Sequence, residues 1–394
     1  MPALLDLSAE LLLSVAYFLP QVDLLNVSLT CKLLHDATEP ELYREYNNTR
    51  RNGRSIVPYL LRLIAVPKLT KYVRFIDFKP WGTLNEISPE FDPEFPLRDE
   101  PVLPDYYFIA RAAQAAGVIK CITPFSKKNI IAETVNNSPV LHWDLFHDGS
   151  NPIPYDEKFC LLLRAGVEDA YVVLLMAILP NLREVFFNGM PYQETALRWR
   201  FPVEGGRKLR RLSALANDPN LSWALQYLNE QMQAPRLEEL EVCGGGSLWL
   251  GLVTAPLQLP QKSLNITRLT LQCFIMTQAD MQTLLSACRT LKSFYYSAPE
   301  EGWDFRTITY PELVELLLMY KETLEEIAMD LDSLWDYDDA SPRTIASLSD
   351  FSSLKTIDIS PGIWSYEQET TTEPRNDIPE EWNTIPQRLP KFHH

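Results

Sequence analysis

No two of the six cysteines form a CxxC pair, so the chain lacks the spacing of a zinc module and of a small disulfide framework. Cys31, Cys121, Cys160, Cys243, Cys273 and Cys288 are scattered along 394 residues, which fits a reducing compartment, cytoplasm or nucleus. Enzyme signatures are missing as well. There is no GxSxG elbow, no HExxH and no P-loop. Gly244-Gly245-Gly246 lacks the GK[ST] that would complete a phosphate cradle, and it reads as a turn. His142 and His147, with Asp144 and Asp148, are the one ligand-like cluster. A spacing of five sends two imidazoles to diverging helix faces or to opposite strand faces, so neither metal nor cofactor is expected.

Basic charge is in short supply. Lys and Arg number 36 against 52 Asp and Glu, a net of -16, which disfavours non-specific attraction to nucleic acid or to an anionic membrane and makes a basic partner the more natural one. The acid is concentrated late, since residues 300–339 hold thirteen carboxylates but only Arg306 and Lys321. Long apolar runs are absent too, and none reaches the length of a membrane span. Leu11 to Leu19 could pass for a signal-peptide core, but Asp6 and Glu10 precede it and no Lys or Arg does, so no secretion signal is expected. The sequons Asn47-Asn48-Thr49 and Asn265-Ile266-Thr267 then read as accidental.

What is present is the composition of a folded protein, 46% hydrophobic and 22% charged, on a chain long enough for at least two units. The first segment reads as three short helices. Ser8 caps the first, Glu10 lies in its favourable first turn, and Leu11, Leu12, Val15, Phe18 and Leu19 recur at helical spacing until Pro20. A second helix runs from about Val22 through Leu24, Leu25, Val27 and Leu29. Thr30 is expected to cap a third, with Leu33, Leu34 and Ala37, that ends before Pro40. Three amphipathic helices in so few residues are too small to be stable alone, so their apolar surface needs a partner or the rest of the chain.

Residues 49–160 read as a linker and entry region, with a helix from Val57 to Val66, a strand over Tyr72 to Phe78, and an acidic, Pro-rich insertion at 85–105. From about 160 a repeat emerges: apolar, two mixed, apolar, one, apolar. It occurs at Leu182–Phe187, Leu209–Ala214, Leu237–Val242, Ile266–Leu271, Leu291–Tyr296, Leu324–Met329 and Leu354–Ile359, with starts 27, 28, 29, 25, 33 and 30 residues apart. Helical periodicity fills the intervals at 168–179, 222–232, 279–288 and 311–320. That spacing fits leucine-rich repeats, each one strand and one helix stacked into a curved solenoid over 161–360, although Ala214 makes the second a poor match; the alternative is a generic α/β domain. A tail at 361–394 is rich in Pro, Glu and Thr.

Residues 7–38 resemble the F-box, whose pattern is matched by Leu7, Glu10, Leu11, Leu12, Val15, Leu19, Pro20, Asp23, Leu24, Val27, Cys31 and Lys32. Ser8 stands where the family usually has Pro, and Leu33 or Leu34 where an aromatic is common; a Ser cap starts a helix as well as Pro does. Together with the array, the chain looks like fungal-style F-box receptors with degenerate repeats. The fold this implies is α/β: an N-terminal three-helix F-box over 1–48, followed by an irregular leucine-rich-repeat-like solenoid. The role it implies is non-catalytic: the substrate-recognition subunit of an SCF ubiquitin ligase. The matched residues would bind a Skp-type adaptor, and through it cullin and RING subunits, and the repeats would hold a protein substrate. The alternative is a repeat scaffold with no part in ubiquitin transfer. One candidate substrate rim is Trp303 and Asp304 with Trp335, Asp336, Asp338 and Asp339, which would receive a basic segment; a plain solvated loop is the competing reading.

Overall fold

A computed structural model describes residues 6–47, 56–78, 103–122, 133–135, 138–140, 154–164, 168–188, 206–215, 223–246, 248–249, 252–253, 257–298, 308–330 and 348–359. The fold is mixed α/β with parallel strands, and the chain divides into two compact units, Met1–Leu209 and Arg210–His394.

The first unit begins with α1 (Ala9–Tyr17), α2 (Gln21–Ser28) and α3 (Lys32–Leu42). Ser8 caps α1 from an extended backbone, its hydroxyl accepting from the Leu11 N–H at 3.5 Å. Pro20 is the N-cap of α2, where its missing N–H leaves no helical bond unmade. The third helix departs from expectation at both ends. Cys31 rather than Thr30 is its N-cap, because the Thr30 hydroxyl donates back to the Val27 carbonyl at 2.8 Å and is not free to cap. Pro40 lies inside the helix, which gives up one i→i−4 bond there and continues to Leu42. α3 is the middle helix, packed on both α1 and α2, and Leu12, Ala16, Leu24, Ser28, Leu34 and Thr38 make the interior.

From α3 the chain passes directly into β1 (Glu45–Asn47), which pairs in parallel with β2 (Phe75–Phe78), and β2 pairs in parallel with β3 (Glu184–Asn188). α4 (Ile56–Ala65) and a 3-10 turn (Pro67–Lys71) join β1 to β2. Between β2 and β3 lie α5 (Leu103–Ala115), a hairpin of Glu133–Val135 with Ser138–Val140, α6 (Tyr155–Arg164) and α7 (Glu168–Ile178). α4 packs on α5 and α7, and α6 on the same two, which forms a helical layer. Every residue of α7 from Glu168 to Met176 is buried, as a helix apolar on nearly all sides must be.

The second unit holds β4 (Arg211–Leu215), β5 (Glu239–Cys243), β6 (Arg268–Gln272), β7 (Ser293–Ser297), β8 (Glu326–Asp330) and β9 (Thr356–Ile359), each parallel to the one before. Its helices are α8 (Asn229–Met232), α9 (Gln278–Ala287) and α10 (Tyr310–Leu317). The helix expected over 222–232 does not form as one piece. Trp223–Ala224 pairs instead with Gly245–Gly246, which engages its backbone groups in a ladder and leaves only a 3-10 turn and the single turn of α8.

The apolar segments stand in register. Leu212, Leu240, Leu269, Phe294, Ile327 and Ile357 lie opposite one another, and so do Ala214, Val242, Leu271, Tyr296, Met329 and Ile359; all except the two on β9 are buried. In the first unit Tyr46, Ile76 and Val185 form such a column. Val73-Arg-Phe-Ile76-Asp-Phe78 is therefore a further segment of the same type, and Tyr43-Arg-Glu-Tyr46 an abbreviated one.

Backbone bonds repeat with the same offset. The carbonyl of the second residue in a segment accepts from the second and third N–H groups of the next: Arg44 from Arg74 and Phe75 at 2.9 and 3.2 Å, and Arg74 from Arg183 and Glu184 at 2.8 and 3.1 Å. Arg210, Glu238, Thr267, Lys292 and Glu325 do likewise. The residue just before a segment often adds a side-chain rung, Asn181 to the Lys71 carbonyl at 2.6 Å, Asn265 to Pro235 at 2.8 Å and Ser353 to Glu322 at 2.6 Å.

Candidate partner-binding surface

Because α3 takes one face of α1 and one face of α2, the apolar residues on their other faces are left largely uncovered by the described residues. Phe18 is 82% exposed, Leu29 75%, Val22 71% and Leu11 53%, and Leu13, Val15, Tyr17, Leu25 and Leu33 are exposed as well. Burying a side chain of this size is worth about 1.5–3 kcal/mol, so these residues make a candidate contact surface. The Tyr17 and Phe18 rings meet edge to face at 5.3 Å, which makes an aromatic pair where α1 ends.

Polar contacts fix this helical group to the sheet of the first unit. Gln21 Nε2 donates to the Leu42 and Glu45 carbonyls at 3.3 and 3.1 Å. Arg44 lies over the Tyr17 ring at 4.6 Å and pairs with Glu41 and Glu45 at 2.8 and 2.6 Å. The buried carboxylate of Glu39 receives Lys68 Nζ at 2.9 Å, and that bond raises the Lys68 ammonium above its ordinary value. The rest of the chain thus supplies the support that three short helices need. Between them and the sheet runs a cleft of about 330 Å³, with Val22 and Leu25 on one wall and Tyr43, Tyr46 and Tyr59 on the other. Tyr46 and Tyr59 stack at 4.2 Å, and burial pushes the Tyr59 hydroxyl upward. Val22 and Leu25 belong to both the cleft and the exposed surface, so the two are continuous.

The residues singled out in the sequence divide by burial. Glu10, Leu11, Val15, Pro20, Asp23, Cys31 and Lys32 are exposed, and Leu7, Leu19 and Val27 half-buried. Leu12 and Leu24 face the interior and set the spacing of the helices. Cys31 is exposed at its cap position. The motif missed Leu13, Tyr17, Phe18, Val22, Leu25, Leu29 and Leu33. Their signal was available, since α1 is apolar on more sides than one neighbouring helix can cover. Trp303, Asp304, Trp335, Asp336, Asp338 and Asp339 lie outside the described residues, as do His142, Asp144, His147 and Asp148. Among the described residues no three His, Cys, Asp or Glu side chains gather as a metal site, and no helix is long and apolar enough to cross a membrane. No protein-family model matches the chain, and no curated protein is significantly similar to it.

Proposed function

We propose that α1–α3 are an F-box, and that the chain is the substrate-recognition subunit of an SCF-type ubiquitin ligase. The observation that carries this reading is the uncovered apolar surface of α1 and α2, on the same helices that hold the F-box-like residues. A Skp-type adaptor would bury that surface, as amphipathic helices are commonly recognised, and would connect the chain to cullin and RING subunits. No chemistry is asked of this protein. The in-register segments support reading the array as a leucine-rich-repeat-like solenoid whose task is to hold a substrate near a ubiquitin-charged enzyme, so that proximity supplies the rate.

The test is binding of the full-length chain to a purified Skp-type adaptor, with Phe18→Asp and Leu25→Asp as surface variants. Micromolar or tighter binding that both variants abolish is the expected result; no binding by the intact chain would sink the reading. If the adaptor binds but a captured partner is never ubiquitylated in the reconstituted ligase, the scaffold alternative takes over.

A further inference from the structure

We propose that Cys243 and Cys273 are a redox modification site, where a peroxide or a glutathione-type disulfide drives formation of a Sγ–Sγ bond between adjacent strands of the second unit.

Cys243 closes β5 and stands opposite Gln272, which closes β6. Strand alternation would send Cys273 to the face away from its neighbour Gln272. Cys273 has φ +48°, in the left-handed region, and strand alternation ends at Gln272. Its thiol interacts with that of Cys243. Both residues are half-buried, so each thiol has some access to solvent, whereas Cys160 and Cys288 are buried.

A second observation comes from the preceding repeat. The residue equivalent to Cys273 there is Gly244, at φ +69°. The two repeats end their strands in the same left-handed turn; one uses the residue that adopts it freely and the other a cysteine, which does so under strain. The cysteine's turn is held by Ser297, whose hydroxyl accepts from the Cys273 N–H at 3.0 Å and whose carbonyl accepts from the Phe274 N–H at 3.0 Å. A strained conformation kept in place by dedicated contacts, with the side chain brought to a second thiol, is the pattern of a functional position.

With hydrogen peroxide, one thiolate attacks an oxygen, the O–O bond breaks, hydroxide leaves and a sulfenic acid forms. The second thiol displaces that oxygen as water. In sum two thiols and one peroxide give one disulfide and two waters, the sulfurs losing the two electrons that the peroxide gains. With a glutathione-type disulfide, two successive exchanges release two glutathione thiols. Burial, reinforced by the Cys273 thiol, pushes the Cys243 thiol up to about 11, so its own thiolate is scarce at neutral pH and more abundant in alkali.

The experiment is a non-reducing peptide map of the full-length chain after excess hydrogen peroxide and alkylation of the remaining thiols. The expected product joins the Cys243 and Cys273 peptides, is two hydrogens lighter than their sum, and is released by dithiothreitol. Its formation rate should increase with pH, by up to about tenfold per pH unit below the pKa of the attacking thiol. In Cys243→Ser the link should vanish and Cys273 should become trappable as a sulfenic acid by dimedone. If the wild-type map shows both cysteines alkylated, or each carried to its own sulfinic acid without a link, the proposal is overturned. The wild-type map decides this without any variant having to fold.

Discussion

Leu12 and Phe18 belong to the same turn-and-helix stretch, yet one is 3% and the other 82% exposed. Leu12→Ala opens a cavity and should cost about 2–5 kcal/mol of stability. Phe18→Ala should change stability by no more than about 0.5 kcal/mol while weakening adaptor binding by about tenfold or more. Denaturant unfolding measured beside a binding isotherm separates the two roles, and a Phe18 variant that unfolds like Leu12→Ala would contradict the surface assignment. Two thiols give a second expectation at this scale, one buried and one half-buried. Burial raises Cys288 to about 12 and Cys243 to about 11, from an ordinary 9.0. Below pH 9 both folded and unfolded chains keep these protons, so their contribution is constant. Above it the unfolded chain loses them first, binds fewer protons than the folded one, and stability falls as pH rises towards 11 and 12. Denaturant midpoints taken from about pH 8 to 11 should decline, and Cys288→Ala should flatten the slope.

At the scale of elements, what could be read in advance depended on period. The six-residue segments announced their strands because three apolar positions recur with a helix between them, and 168–179, 279–288 and 311–320 became helical close to their expected bounds. Two strands went unassigned to the array for reasons visible in their residues. Tyr43 and Tyr46 fill the apolar positions of the first segment with a residue that reads equally well as surface, and Val73 is separated from Leu182 by 109 residues, which hides its membership. The exposed surface of α1 and α2 was only half legible. An apolar residue looks the same in sequence whether its chain covers it or leaves it bare, so the F-box-like pattern found Leu11 and Val15 but also the inward Leu12 and Leu24. Neighbouring elements are also tied by contacts that no periodicity reveals. The Tyr320 hydroxyl donates to the Leu285 carbonyl and sits 3.0 Å from that of Cys288, fastening the turn after α10 to the end of α9. Tyr320→Phe should therefore cost roughly 1–2 kcal/mol by removing these buried bonds, an amount that urea unfolding resolves.

For the whole molecule, α1–α3 cannot be cut away as a separate cassette. The carbonyl of Arg44 serves both Arg74 and Phe75, and Glu39 and Gln21 fasten the helices to the residues that follow. Deleting residues 1–45 should expose the edge of β2, lower the thermal midpoint and promote aggregation, whereas Phe18→Asp should leave the melt nearly unchanged. A truncated chain that melts like the intact one would show the coupling to be unimportant. Point substitutions are accordingly the sounder test of the proposed adaptor contact. The shared offset of the backbone ladder carries one further consequence, for protein engineering. One residue inserted inside a six-residue segment would turn its inward side chains outward and detach the paired amides on both sides. The connections obey no such rule, since segment starts lie 25 to 33 residues apart in the later repeats and 109 apart between Val73 and Leu182. A reporter domain or epitope placed in a connection, outside every strand and outside the packed helices α5, α6 and α7, is where added sequence should be carried at least cost to folding.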